Sequence, residues 1–123
     1  MLPRTRKPAG PAFGELQAFK AQFFRALAHP IRIRILEILG RSDRTVQELQ
    51  HALGVPQPIV SQQLAVLRVH GIVTAHKLGP AVRYELRDPL VGELLDVARR
   101  IFGNHLISTT GLLRELQREG RRA

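Results

Sequence analysis

No cysteine occurs among the 123 residues. Disulfides, thiolate metal sites, thiol redox sensing and a cysteine nucleophile are therefore excluded. Long apolar runs are also missing. None is long enough to span a bilayer, and the opening segment MLPRTRKPAG lacks the apolar core of a signal peptide. The expectation is a cytoplasmic protein with no membrane partner. Acidic residues are scarce beside basic ones, 10 Asp and Glu against 19 Lys and Arg, giving a formal charge of +9. Such an excess draws polyanions, nucleic acid first and anionic membrane surfaces second. Catalytic equipment is equally sparse. There is no phosphate-cradling Gly-rich loop and no clear carboxylate dyad, and Ser61 has no base and orienting group beside it. The chain does not read as an enzyme.

What is present suits one domain with a modest core: 44% of the residues are hydrophobic and 24% charged. Residues 1–12, rich in Pro, Arg and Lys, read as a flexible basic arm. Residues 13–106 read as the folded domain with its terminal helices, and 107–123 as a helical or frayed basic tail. Within the domain, Leu16, Phe19, Phe23, Phe24 and Leu27 give one apolar side to a helix from about Phe13 to Ala28. Pro30 disfavours helical geometry at His29 and fits the first turn of a second helix, which Gly40 closes after Leu39. Thr45 and Glu48 form a Thr-x-x-Glu capping box that opens a third helix, ended by Gly54. A fourth helix covers Pro56 to His70, with Val60, Leu64 and Leu67 toward the core and Gly71 as its stop. Ile72 to Lys77 and Ala81 to Leu86 alternate as two strands around a Gly79-Pro80 turn. Asp88, as cap, and Pro89 then start a long helix to about Leu106. The expected fold class is mainly α with a small β-hairpin, a winged helix-turn-helix of order α-α-α-α-β-β-α that functions as a dimer.

The segment TVQELQHALGVPQPIVSQQLAVLRVH, Thr45 to His70, carries the functional reading. It is two short helices around a Gly-containing turn, followed by the hairpin, an order that offers DNA one helix for the major groove and a wing beside it. Pro58, Gln62 and Ala65 lie opposite the core stripe of the fourth helix, with Ser61 beside them. Amides and hydroxyls hydrogen-bond base edges, and small apolar groups lie against thymine methyls. Gln57, Ser61 and Gln62, near the N-terminal half, are the candidate base contacts. Gln63 and Arg68 are candidate contacts to the sugar-phosphate backbone. Lys77 and Arg83 on the wing are candidates for the minor groove or phosphates, and Arg32 and Arg34 for flanking phosphates. Tyr84 reads as a packing aromatic.

Leu90, Leu94, Val97, Ala98, Ile101 and Phe102 form a broad apolar face on the last long helix. With Phe19 and Phe23 of the first helix, they exceed what so small a fold can bury. A two-fold dimer interface is expected, placing two reading helices about one DNA turn apart.

LAHPIRIRILEIL, TVQELQHALGVPQPIVSQQLAVLRVHGIV and AHKLGPAVRYELRD together resemble the ArsR/SmtB family of bacterial winged-helix repressors, over roughly Phe19 to Phe102. The resemblance implies a recognition helix over Gln57 to Arg68, dimerisation through the terminal helices, and release of an operator when an effector binds, often a transition metal. It also implies a basic residue or His where this chain has Gln63. The family's cysteine pair would fall around Gln50 and Ala52, where there is no thiol. Its carboxylate-histidine site on the last helix matches only at Asp88, the later positions being Leu90, Ile101 and Asn104. Histidine can still bind nickel, zinc or cobalt. However, no two of His29, His51, His70, His76 and His105 have the spacing that puts ligands on one helix face. Such a site would join distant segments or two subunits, with Asp96 or Glu93 as further ligands.

The expected function is a sequence-specific, homodimeric regulator of transcription on double-stranded operator DNA, acting as a repressor that responds to an effector or accessory protein. The alternatives are a metal-responsive regulator with a non-standard His/carboxylate site and a nonspecific architectural DNA-binding protein.

Overall fold

A computed structural model describes residues 13–105 and 110–121, so the expected basic arm over 1–12 lies outside the described residues. Four helices come first: α1 (Glu15–Leu27), α2 (Pro30–Leu39), α3 (Val46–Leu53) and α4 (Gln57–Val69). A short strand, β1 (Arg44–Thr45), precedes α3. After α4 come β2 (Val73–Leu78), β3 (Ala81–Leu86), α5 (Leu90–His105) and α6 (Thr110–Arg121).

The helix limits follow from local chemistry. His29 is extended at φ −155°, and its Nδ1 accepts from Ile31 N–H at 3.1 Å, with Pro30 as first helical residue. Thr45 Oγ1 accepts from Glu48 N–H at 3.1 Å while Glu48 Oε1 accepts from Thr45 N–H at 2.9 Å, so the reciprocal box is formed. Gly54 ends α3 in the left-handed region at φ +70°, which only glycine adopts without cost. Asp88 Oδ1 accepts from Leu90 N–H at 2.9 Å at the start of α5.

Three features depart from the expectation. Gly40 closes α2 in right-handed geometry, φ −62°, so left-handed freedom is not the reason for a glycine there. Strand β1 is an addition; two residues are too few to show a period of 2. Helix α6 has 12 residues rather than a turn or two.

The sheet has order β1-β3-β2, all neighbours antiparallel. The hairpin register runs from Val73↔Leu86 to Leu78↔Ala81, and β1 adds Arg44↔Tyr84 and Thr45↔Arg83 on the other edge of β3. One core unites the elements: Leu27 of α1, Ile35, Leu36 and Leu39 of α2, Leu49 of α3, Val60, Leu64 and Leu67 of α4, and Ile72, Val73 and Val91. Tyr84 and Leu86 pack against it, as expected for a packing aromatic. Helix α4 is therefore seated on the body of the domain by its apolar stripe, with the hairpin fixed beside it. This is a winged helix-turn-helix.

Candidate nucleic-acid interface

Pro56 is extended at the N-terminus of α4, so the helix starts cleanly after the Gly54 turn. Val60, Leu64 and Leu67 are fully buried, and that anchoring turns Gln57, Pro58, Ser61, Gln62, Ala65 and Arg68 outward together on the opposite side. The outward face is uncharged until Arg68 in the last turn. Base-edge donors and acceptors are thus available near the helix N-terminus, and a cation for phosphate lies at the other end.

Gln63 departs from its expected role. Its side chain is buried, and its Oε1 accepts from Arg32 Nη1 at 2.9 Å. It falls on the core side because it shares the 60, 63, 64, 67 stripe, which the amide side chain disguises in sequence. Arg32 is likewise not a free phosphate ligand. Its Nε donates to Ala26 O at 2.7 Å and its Nη2 to Arg25 O at 3.5 Å, at the end of α1. Arg34 pairs with Glu37 at 3.2 Å.

On the wing, Lys77 is exposed just before the turn, where Gly79 takes φ +62°. Arg83 is placed otherwise than expected. Its Nη2 donates to Asp43 O at 2.9 Å and lies 3.8 Å from Glu48 Oε1, because β1 pairs beside it. It ties the sheet to the start of α3 instead of projecting from the hairpin. Next to Lys77, His76 Nε2 and Glu85 Oε2 are 2.5 Å apart. That pair went unforeseen, since it depends on the strand register.

A second surface lies on the terminal helices. Phe19, Leu90, Val97, Ile101 and Phe102 are exposed, as are Phe13 and Leu16. Phe23 and Leu94 are partly buried against the core, and Ala98 is half-buried. Exposed apolar groups on this scale mark an interaction face.

Among the described residues, no three of His, Asp and Glu converge as a metal site within one chain. His29 caps α2, His70 Nδ1 lies 2.9 Å from Val66 O, and Asp96 pairs with Arg99. The side chain of His105 lies outside the described residues.

Comparison with known proteins agrees with this geometry. Residues 29–75 match the family described as bacterial regulatory protein, arsR family. The chain is 43% identical over 106 residues to an uncharacterized HTH-type transcriptional regulator, Rv0081, of Mycobacterium tuberculosis, covering 85% of this chain and 93% of that one. The crystal structure of Rv0081 superposes with a TM-score of 0.70 at 45% identity, covering 77% of this chain and 96% of that one. A homodimeric winged helix-turn-helix DNA-binding domain of Mycobacterium bovis gives a TM-score of 0.70 at 27% identity, over 80% and 94% of the respective chains. A probable mercury resistance operon repressor of Streptomyces lividans is 42% identical over 79 residues, 64% of this chain and 63% of that one.

Proposed function

Because this chain belongs to the arsR family of bacterial regulatory proteins and is a DNA-binding transcriptional regulator, we propose that it acts as a homodimeric repressor reading a two-fold symmetric operator through α4. The carrying observation is the outward face of α4. Gln57, Pro58, Ser61, Gln62 and Ala65 are exposed together, while Val60, Leu64 and Leu67 hold the helix on the core. Gln62 and Ser61 hydrogen-bond base edges, Pro58 and Ala65 lie against thymine methyls, and Arg68 and Lys77 meet the backbone. Binding across a promoter occludes it.

Dimerisation runs through α1 and α5, with Phe19, Leu90, Val97, Ile101 and Phe102 meeting their two-fold mates. Similarity to the homodimeric Mycobacterium bovis domain supports the pairing. Two subunits then present their reading helices to successive major grooves on one side of the duplex, about 34 Å apart. The site of action is the cytoplasm, where bacterial DNA lies.

Similarity to a probable mercury resistance operon repressor supports control by an effector, with a metal ion as one class. In this reading a metal is held between two subunits, which fits the lack of three converging ligands within one chain among the described residues.

Selection of bound duplexes from random DNA, repeated with divalent metals, tests the proposal. The expected product is an inverted repeat whose half-sites lie on one face of the duplex. Binding with a steep salt dependence and no sequence preference would mean a nonspecific DNA protein instead.

A further inference from the structure

Val60, Leu64 and Leu67 set which side of α4 faces outward, but apolar contacts are non-directional and resist small rotations about the helix axis less sharply than a hydrogen bond does. Rotation decides where Ser61, Gln62 and Ala65 point, and base reading tolerates little error in direction. One polar contact is placed to supply the sharper restraint. Arg32 on α2 donates from Nη1 to Gln63 Oε1 at 2.9 Å, while its Nε donates to Ala26 O at 2.7 Å and its Nη2 to Arg25 O at 3.5 Å.

The two carbonyls belong to the last turn of α1, whose C-terminal peptide groups carry partial negative charge; Arg25 O also accepts from Ala28 N–H at 3.1 Å, so the 2.7 Å bond to Ala26 O is the main tie. They stabilise a guanidinium that, among the described residues, has no carboxylate partner. Only the planar fork of arginine reaches α1 and α4 from one position. Gln63 adjoins Gln62, one helical step of 100° away from the reading face. A restraint on its amide therefore acts one residue from the outward face.

We infer that Arg32 is a positioning residue for sequence reading: by bridging the end of α1 to Gln63 it fixes the rotation of α4, so that a shift of the dimer-forming helix reaches the base-contacting side chains. The inference rests on the reading of α4 as the recognition helix. It makes the α1 end the route by which assembly and base discrimination are coupled.

The test uses the full chain and compares affinity for the selected operator with affinity for a shuffled duplex at one salt concentration. Arg32→Lys keeps the charge without the fork, and Gln63→Leu keeps the burial without the acceptor. Each is expected to lower the operator-to-shuffled ratio about tenfold, as for loss of one charge-assisted hydrogen bond, with shuffled-duplex affinity nearly unchanged. The double variant is expected to lose no more than either single one. Gln63→Glu, which retains an acceptor, is expected to keep the ratio. Thermal unfolding confirms that each variant is folded. An unchanged ratio in folded Arg32→Lys and Gln63→Leu proteins, losses that multiply in the double variant, or a ratio lost in folded Gln63→Glu would each overturn the inference while leaving the regulator reading intact. A wild-type protein with no operator preference would instead bring down the regulator reading itself, and this inference with it.

Discussion

Gly40 and Gly92 face each other where the end of α2 crosses the start of α5. A methyl group built on Gly92 would lie 3.4 Å from Gly40 Cα, and one on Gly40 would lie 3.6 Å from Gly92 Cα. The pair lets two backbones approach with no side chain between them. One methyl fits at ordinary contact distance, and Gly92 is helical, so Gly92→Ala is expected to stabilise by up to about 1 kcal/mol. Gly92→Leu is expected to push α5 from α2 and cost about 1–3 kcal/mol. Gly40→Ala and Gly92→Ala combined should fall short of the sum of the single changes, because the two methyl groups meet. Thermal unfolding of the single and double variants measures all of this.

Side chains on the proposed DNA-facing surface should separate by role. Gln62→Ala is expected to cost about 1–3 kcal/mol of discrimination at one base pair of each half-site, with little change in thermal stability, since the side chain is exposed. Lys77→Ala is expected to weaken all duplexes about equally and to reduce the salt slope by about one per subunit. Arg83→Ala should behave differently from both. It releases Asp43 and Glu48, so the melting temperature should fall along with affinity. Titrations across a salt series, with a parallel melting curve for each variant, distinguish the three.

Ile101→Glu places a charge on an exposed part of the terminal face, so the fold should survive it. The expected result is a monomer by sedimentation. Operator affinity should drop about a hundredfold as the second half-site stops helping the first. A variant that stays dimeric would move the interface off this part of α5.

Glu37 gives a pH dependence of stability. Burial raises its carboxyl above the ordinary 4.5, and the nearby Glu119 carboxylate adds to this, while Arg34 and Arg99 oppose it. The folded chain therefore keeps a proton that the unfolded chain has lost. The stabilisation from this group is complete below 4.5 and disappears as pH rises through the raised value. Glu37→Gln removes that titration. Its melting temperature relative to wild type should rise from about pH 4 toward neutrality and then level off. A constant difference over the range would remove Glu37 as the cause.

Much of the fold was legible because its signals are local. The Thr45–Glu48 box, the Gly54 stop and the His29-Pro30 break each act within three or four residues and set helix ends wherever the helices later dock. The stripe of Val60, Leu64 and Leu67 likewise implied a free face with Ser61 and Gln62, and both are exposed. Strand β1 has no signal in the sequence because two residues carry no periodicity, and the many charged residues of α6 mask a 12-residue helix as a frayed end.

The amino-acid order by itself determined where α2 to α5 begin and end, which stripe of each is apolar, and that a basic chain carries an uncharged outward face on α4. It did not determine the fate of individual polar groups. Gln63 is bound to Arg32 from 31 positions away, and Arg83 to Asp43 from 40. Both looked like ligands for phosphate. Only the packing of α1, α2 and α4, and of β1 beside β3, turned them into internal ties, since a buried donor or acceptor takes whatever partner the tertiary fold brings within about 3 Å.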